Sequence, residues 1–135
     1  MTRPNGIAFS PDFSKLYVSN CDEKSPYWKV FDVLDYGTVT NGKIFYYGTT
    51  LSESDDLKNK PDGLKVDTSG NLFATGPGGV LVFSPDARLL GRLRLDRKAS
   101  NIEFGDDGFM YITATDAVFR VRTYAKAAKA LKISL

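Results

Sequence analysis

The chain has 135 residues, 42% of them hydrophobic, with 18 Lys and Arg against 16 Asp and Glu for a net charge of +2. This length suits one domain with an apolar core of its own, and the nearly balanced charge, without a stripe of basic and stacking aromatic residues, argues against a nucleic-acid partner. No apolar run is long enough to span a bilayer and no signal peptide follows Met1. We therefore predict a soluble chain without a membrane partner, cytoplasmic as written, or secreted or periplasmic if a preceding segment carries a signal.

Two residue types restrict the chemistry that the chain can perform. It has no histidine, and Cys21 is its single cysteine. The lack of histidine excludes Ser-His-Asp and Cys-His catalysis and ordinary histidine-ligated zinc. The lone cysteine leaves neither an intrachain disulfide nor a thiolate cluster. Any catalysis must then use carboxylates, amides, hydroxyls, amines or a hard metal ion.

Alternating apolar and polar residues, rich in β-branched and aromatic side chains, predict strands along most of the chain. In chain order they cover residues 6–10, 15–19, 28–34 and 43–47, then 63–67, 71–75, 80–84 and 89–95, then 101–105, 110–114 and 117–122. Only after these does a helical pattern follow. Tyr124, Ala127, Ala128 and Leu131 share one face there, which predicts a short basic amphipathic helix or tail over residues 123–135.

The strands fall into repeats that begin alike. Pro4-Asn5-Gly6, Pro61-Asp62-Gly63 and Ser100-Asn101 each stand directly before the first strand of a group. Repetition of strand groups at this spacing is typical of a β-propeller. We predict an all-β, partial β-propeller of about three four-stranded blades at residues 1–48, 60–96 and 99–122, the third without its outermost strand.

A propeller of this size is incomplete, because closed rings have about four to eight blades. We therefore expect either a piece of a longer protein or one half of a closed assembly. In both cases an arc of three blades would leave open sheet edges and an unfilled axis.

Equivalent positions in propeller blades converge on the central axis, so Asn5, Asp62 and Asn101 are expected to be neighbours. Amide and carboxylate oxygens without histidine or thiolate suit hard cations such as Ca²⁺, Mg²⁺ or Mn²⁺. The alternative is that Asn-Gly and Asp-Gly pairs simply form turns. Their recurrence at one place in the repeat keeps the cation site as an equal hypothesis.

Several stretches together resemble one known family. They are Pro4-Asn5-Gly6-Ile7-Ala8-Phe9-Ser10 with Leu16-Tyr17-Val18-Ser19-Asn20, Pro61-Asp62-Gly63-Leu64 with Gly70-Asn71-Leu72-Phe73, Gly78-Gly79-Val80-Leu81, and Ser100-Asn101-Ile102-Glu103-Phe104-Gly105. Their order and spacing resemble the gluconolactonase, regucalcin and luciferin-regenerating enzyme family over nearly the whole chain up to Arg122. The resemblance implies a six-bladed propeller with one divalent cation on its axis, and it places this chain in the C-terminal half of the ring.

The resemblance also implies roles for individual residues. Asn5 matches a metal ligand of the family, Asp62 matches a ligand that is also the catalytic residue, and Asn101 matches a position lining the site in some relatives. The implied cation is Ca²⁺ first, with Zn²⁺, Mg²⁺ or Mn²⁺ as alternatives. A glutamate ligand near the family's N-terminus and an asparagine from an earlier blade have no counterpart here. A missing N-terminal half or a second copy would be needed to close the ring.

The function implied by the resemblance is a metal-dependent lactone hydrolase of the gluconolactonase type, incomplete in this chain alone. Its small-molecule partner would be a lactone or a sugar-acid lactone. Two alternatives stay open. One is hydrolysis of an organophosphate or another ester on the same metal site. The other is a non-catalytic binding or interaction propeller, or a homo-oligomer of half-propellers.

Overall fold

The computed structural model describes residues 1–51 and 59–128 and is almost entirely β-structure. Short 3-10 turns at Asp35–Gly37 and Gly48–Leu51 are the exceptions within these ranges. The strands are β1 (Pro4–Phe9), β2 (Lys15–Asn20), β3 (Tyr27–Val33), β4 (Val39–Tyr47), β5 (Leu64–Val66), β6 (Leu72–Gly76), β7 (Gly79–Phe83), β8 (Leu89–Arg94), β9 (Ala99–Phe104), β10 (Phe109–Ala114) and β11 (Ala117–Arg122).

These strands form three antiparallel sheets in chain order, β1-β2-β3-β4, β5-β6-β7-β8 and β9-β10-β11. We call them the first, second and third blade. The predicted all-β fold is confirmed, and among the described residues the third blade has three strands, as expected. Local chemistry explains the hairpins. Between β6 and β7, for example, Pro77 and Gly78 form the loop, and the φ of +79° at Gly78 is one that glycine adopts without steric cost.

The blades stack face to face through two apolar clusters. The first lies between the first and second blades and includes Tyr17, Trp28 and Phe45 against Phe83. The Phe83 ring lies 5.6 Å from Trp28 and 5.8 Å from Phe45, measured between ring centroids. The second cluster joins Phe73 and Val80 of the second blade to residues of the third such as Ile102, Phe104, Met110 and Ile112. Tyr17, Trp28 and Phe45 of the first blade thus serve packing between blades.

Face-to-face stacking changes what the ends of the arc expose. We expected open strand edges there. Instead, each end blade presents a sheet face, because its other face is already packed on the second blade. On the first blade, β1 carries exposed Ile7 and Phe9.

Of the helix or tail predicted for residues 123–135, residues 123–128 form a non-helical tail, and residues 129–135 lie outside the described part of the chain. The segment runs extended along β5. Thr68 donates its N–H to the carbonyl of Lys126 at 2.9 Å, and Ala128 donates to the carbonyl of Val66 at 3.1 Å. The free edge of β5 offers backbone groups that need partners, and this pairing outweighs a weak local helical preference. Within the described ranges, no helix is long and apolar enough to cross a membrane.

Candidate functional site

The first strands of the three blades, β1, β5 and β9, lie side by side at the inner edge of the arc. At their starting ends a cavity of about 430 Å³ opens. Asn5, Asp62, Ser100 and Asn101 all line this cavity, together with Lys65 of β5. The structure therefore brings together all three side chains that the sequence predicted, although they are far apart along the chain.

Asn5 and Asp62 are neighbours on the wall of this cavity. Hydrogen bonding from the Asn5 side chain and from the backbone at Gly63 lowers the pKa of the Asp62 carboxyl group. This hydrogen bonding favours the charged carboxylate. Partial burial acts against it and is the larger effect, so the pKa of Asp62 is raised above its usual value. A carboxylate with a raised pKa is a stronger base than an exposed one.

The glycines that follow Asn5 and Asp62 are required by the neighbouring blade. A Cβ at Gly6 would lie 2.2 Å from the backbone oxygen of Asp62, and a Cβ at Gly63 would lie 2.7 Å from that of Ser100. Each glycine therefore lets the next inner strand approach its own backbone closely. Asn5-Gly6 lies within β1 and Asp62-Gly63 directly precedes β5. Neither pair forms a hairpin loop, so the turn interpretation does not account for them.

Two buried hydroxyls show which residues are equivalent between blades. Ser19 donates from its Oγ to the carbonyl of Asp62 at 2.8 Å. In the next blade, the Oγ1 of Thr75 lies 3.0 Å from the carbonyl oxygen of Gly63 and 3.3 Å from that of Ser100. Ser100 therefore occupies the same position relative to the second blade as Asp62 occupies relative to the first.

The position of the third repeat that corresponds to Asn5 and Asp62 is therefore Ser100. Asn101 corresponds to Gly63, and a Cβ added at Gly63 would lie 2.8 Å from the Asn101 Cα. Asn101 lines the cavity, but its Oδ1 accepts the N–H of Ile102 at 2.9 Å. A signal in the sequence could have identified Ser100. It stands two residues before Ile102, just as Asn5 and Asp62 stand two residues before Ile7 and Leu64.

Comparison with known proteins identifies the family. Residues 1–116 match the profile of the SMP-30/Gluconolactonase/LRE-like region. The chain belongs to this family. It is 40% identical over 126 residues to the gluconolactonase of Zymomonas mobilis, covering 91% of this chain and 35% of that protein. It is 29% identical over 115 residues to the pentonolactonase XacC of Haloferax volcanii, covering 82% of this chain and 37% of that protein.

Solved structures agree with this assignment. The gluconolactonase XC5397 from Xanthomonas campestris superposes with a TM-score of 0.75 at 33% identity, over 89% of this chain and 38% of that one. A calcium-binding protein, regucalcin from Agrobacterium tumefaciens, shares the fold with a TM-score of 0.68 at 20% identity, over 93% of this chain and 47% of that one. The chain spans 29–37% of the length of the curated relatives that it matches.

The donors around the cavity are hard oxygens, namely one carboxylate, two amides and a hydroxyl. No group of three or more His, Cys, Asp or Glu residues that could hold a metal ion occurs in the described part of the chain. Oxygen donors of this kind suit Ca²⁺ or Mg²⁺ better than softer metals. A single charged ligand gives low affinity, because cation affinity rises with the number of charged ligands.

Proposed function

We propose that this chain carries part of the active site of a lactone hydrolase of the gluconolactonase type. Asp62 is the catalytic carboxylate, and Asn5 and Asp62 are ligands of one divalent cation. The observation that carries the proposal is the meeting of Asn5 and Asp62 in one cavity, where Asp62 is the one carboxylate among the described lining residues. The relatives named gluconolactonase and pentonolactonase support a lactone as the substrate class.

The cation that fits these donors best is Ca²⁺, with Mg²⁺, Mn²⁺ or Zn²⁺ as alternatives. Amide and carboxylate oxygens are ordinary calcium ligands. The calcium-binding protein regucalcin, which has the same fold, supports this choice. Two protein ligands are too few for tight binding. We infer that further ligands come from blades outside this chain, or from a second copy of it.

In this proposal Asp62 acts first as the general base and then as the general acid of the hydrolysis. Its carboxylate accepts a proton from a water molecule as the water oxygen forms a bond to the lactone carbonyl carbon. The ring C–O bond then breaks, and the proton passes to the alkoxide that leaves, which gives an open hydroxy acid. When bound, the cation supplies polarisation of the lactone carbonyl and stabilises charge on its oxygen.

Asn5 holds the carboxylate in place. Hydrogen bonding from its side chain lowers the pKa of the Asp62 carboxyl group, and the amide nitrogen is the end of the side chain that can donate to a carboxylate. Its amide oxygen is the end that would face a cation, because a carboxamide carries an acceptor and a donor on opposite sides. The same side chain can therefore pair with Asp62 in the free protein and ligate a cation after rotation of its amide.

The test combines calcium calorimetry with lactone hydrolysis, using the 135-residue chain and its Asp62→Asn variant. We expect weak calcium binding by the wild type, with a dissociation constant on the order of 10⁻⁴–10⁻³ M, and no measurable binding or hydrolysis in the variant. Asp96→Asn is the matched control, because it removes one carboxylate charge at an exposed side chain of the second blade and should change neither. Equal calcium binding by the wild type and Asp62→Asn would contradict the proposed site.

Two other functions share these residues. The same oxygen donors would serve hydrolysis of an organophosphate or another ester, which activity towards such esters without activity towards lactones would reveal. A non-catalytic binding propeller is favoured by the single carboxylate in the cavity. It would bind a lactone without turning it over, even with calcium present and the ring completed.

A further inference from the structure

The buried hydroxyl of Ser19 connects the two segments that carry the proposed ligands. Ser19 belongs to β2 and is fully buried. Its Oγ accepts the backbone N–H of Gly6 at 2.7 Å and donates to the backbone carbonyl of Asp62 at 2.8 Å. A hydroxyl has one proton to donate and lone pairs to accept, so both bonds form at once.

This connection replaces a direct bond that the other pair of blades has. Between the second and third blades, the N–H of Gly63 donates directly to the carbonyl of Ser100 at 2.8 Å. By the repeat, the N–H of Gly6 would donate to the carbonyl of Asp62. Instead, the N–H of Gly6 donates to the Oγ of Ser19, and the Ser19 hydroxyl donates to the carbonyl of Asp62. Among the described residues, no backbone hydrogen bond joins β1 directly to β5.

We propose that Ser19 is a positioning residue that sets the distance between Asn5 and Asp62 across the boundary of the first two blades. This rests on the proposed function, in which these two residues hold one cation. The N–H of Gly6 belongs to the same planar peptide unit as the carbonyl of Asn5, so fixing it fixes the backbone of Asn5. The carbonyl bonded by Ser19 belongs to Asp62 itself. One hydroxyl therefore holds both residues.

The first readout is calcium affinity, measured by calorimetry on the full chain. Ser19→Ala removes the hydroxyl and should weaken calcium binding by roughly 10- to 100-fold, as is typical for residues that orient metal ligands. Ser84→Ala is the matched control. Ser84 is also a buried serine, whose Oγ accepts the N–H of Arg88 at 3.2 Å in the second blade, away from the cavity lining. It should lower the melting temperature without changing calcium affinity.

Ser19→Thr tests rescue by a hydroxyl. Thr75 occupies the corresponding place in the second blade, so the fold accepts a threonine at this point of the repeat. We expect Ser19→Thr to recover at least half of the lost binding signal. A Ser19→Ala variant that is folded and binds calcium as the wild type does would overturn the proposal.

The second readout needs no cation. The side-chain amide resonances of Asn5 report its proximity to the Asp62 carboxylate, and Asp62→Asn supplies a reference in which that carboxylate is gone. In Ser19→Ala these resonances should shift towards the reference, and in Ser84→Ala they should not. Equal calcium binding by the wild type and Asp62→Asn would contradict the proposed function. The role of Ser19 would still be decided by the Asn5 resonances in Ser19→Ala: a shift supports it, and unchanged resonances contradict it.

The third readout uses the wild type alone and applies even if Ser19→Ala does not fold. The backbone amide of Gly6 should exchange with solvent as slowly as amides in the β2–β3 ladder, because Ser19 accepts it in a buried position. Fast exchange of the Gly6 amide in the folded chain would overturn the proposal.

Discussion

Replacement of Gly6 by alanine tests the close contact between the first and second blades. The added Cβ would lie 2.2 Å from the Asp62 backbone oxygen, whereas carbon–oxygen contacts close to about 3.3 Å. The two strands must then separate by about 1 Å. Overpacking against backbone costs about 1–3 kcal/mol, and the Ser19–Asp62 hydrogen bond lengthens beyond its useful range, which adds about 1–3 kcal/mol.

We expect Gly6→Ala to lower the free energy of unfolding by about 3 kcal/mol and the melting temperature by about 10 °C. Urea unfolding can be followed by the fluorescence of Trp28, the single tryptophan, which is fully buried between these blades. Gly91→Ala in β8 is the matched control, because a Cβ added there would have no atom within 4 Å, and it should stay within about 1 kcal/mol of the wild type. Equal unfolding midpoints for the two variants would refute the reasoning.

Two further predictions concern the core and the site. Phe83→Ala should lower the free energy of unfolding by about 3–5 kcal/mol, because this fully buried ring packs on Trp28 and Phe45; urea unfolding measures the loss, and the half-exposed Leu90 mutated to alanine is its control. Because burial raises the pKa of Asp62, its protonated form stabilises the folded state below the unfolded pKa of about 3.9, and this contribution is lost as pH rises through the higher folded pKa. Unfolding curves from pH ~3.5 to ~7 should therefore show the wild type losing stability relative to Asp62→Asn as pH rises, and a constant difference would count against a raised pKa.

Most of the fold was predictable because strand periodicity and turn residues agree in this chain. Each predicted strand overlaps an observed one, since the alternating pattern reflects blades that bury one face or both. For the segment after β11 the sequence predicted a helix or a tail, and the described residues form an extended tail. Its apolar spacing is helical, but the free edge of β5 pairs with Ala127 and its neighbours. That pairing is a long-range contact, which no local pattern reports.

The candidate site was predictable in part. The recurrence of Asn5 and Asp62 before equivalent strands placed them together. The sequence comparison aligned Asn101 with Asn5 because both side chains are amides. The distance to the following strand residue, Ile102, would have aligned Ser100 with Asn5 instead. Ser19 could not have been found from a pattern. A serine inside a strand gives no distinct signal in a sequence, and its role depends on a carbonyl 43 positions away.

The two end faces of the arc bear on whether a second copy could complete the ring. In β3, Trp28 and Val30 pack on the second blade, so the alternate residues Lys29 and Phe31 lie on the opposite, outer face. There the Lys29 ammonium lies 5.2 Å from the Phe31 ring centroid. The exposed β1 residues Ile7 and Phe9 make the same blade apolar nearer the axis.

The outer face of the third blade carries two arginines of β11, and Glu103 of β9 lies on the same face, in register with Tyr111 and Arg120. Arg120 and Arg122 lie over the ring of Phe109, at 4.8 and 5.3 Å from its centroid. Closing a ring from two copies would press this face against the face that carries Lys29, and three cations would share one interface. Such charges are costly to bury, and the carboxylate of Glu103 on this face is already paired with Lys65 at 2.9 Å. The inner interfaces, by contrast, pack aromatic and aliphatic side chains. The apolar inner part of the first-blade face therefore suits an apolar blade face better than it suits the third blade of a second copy.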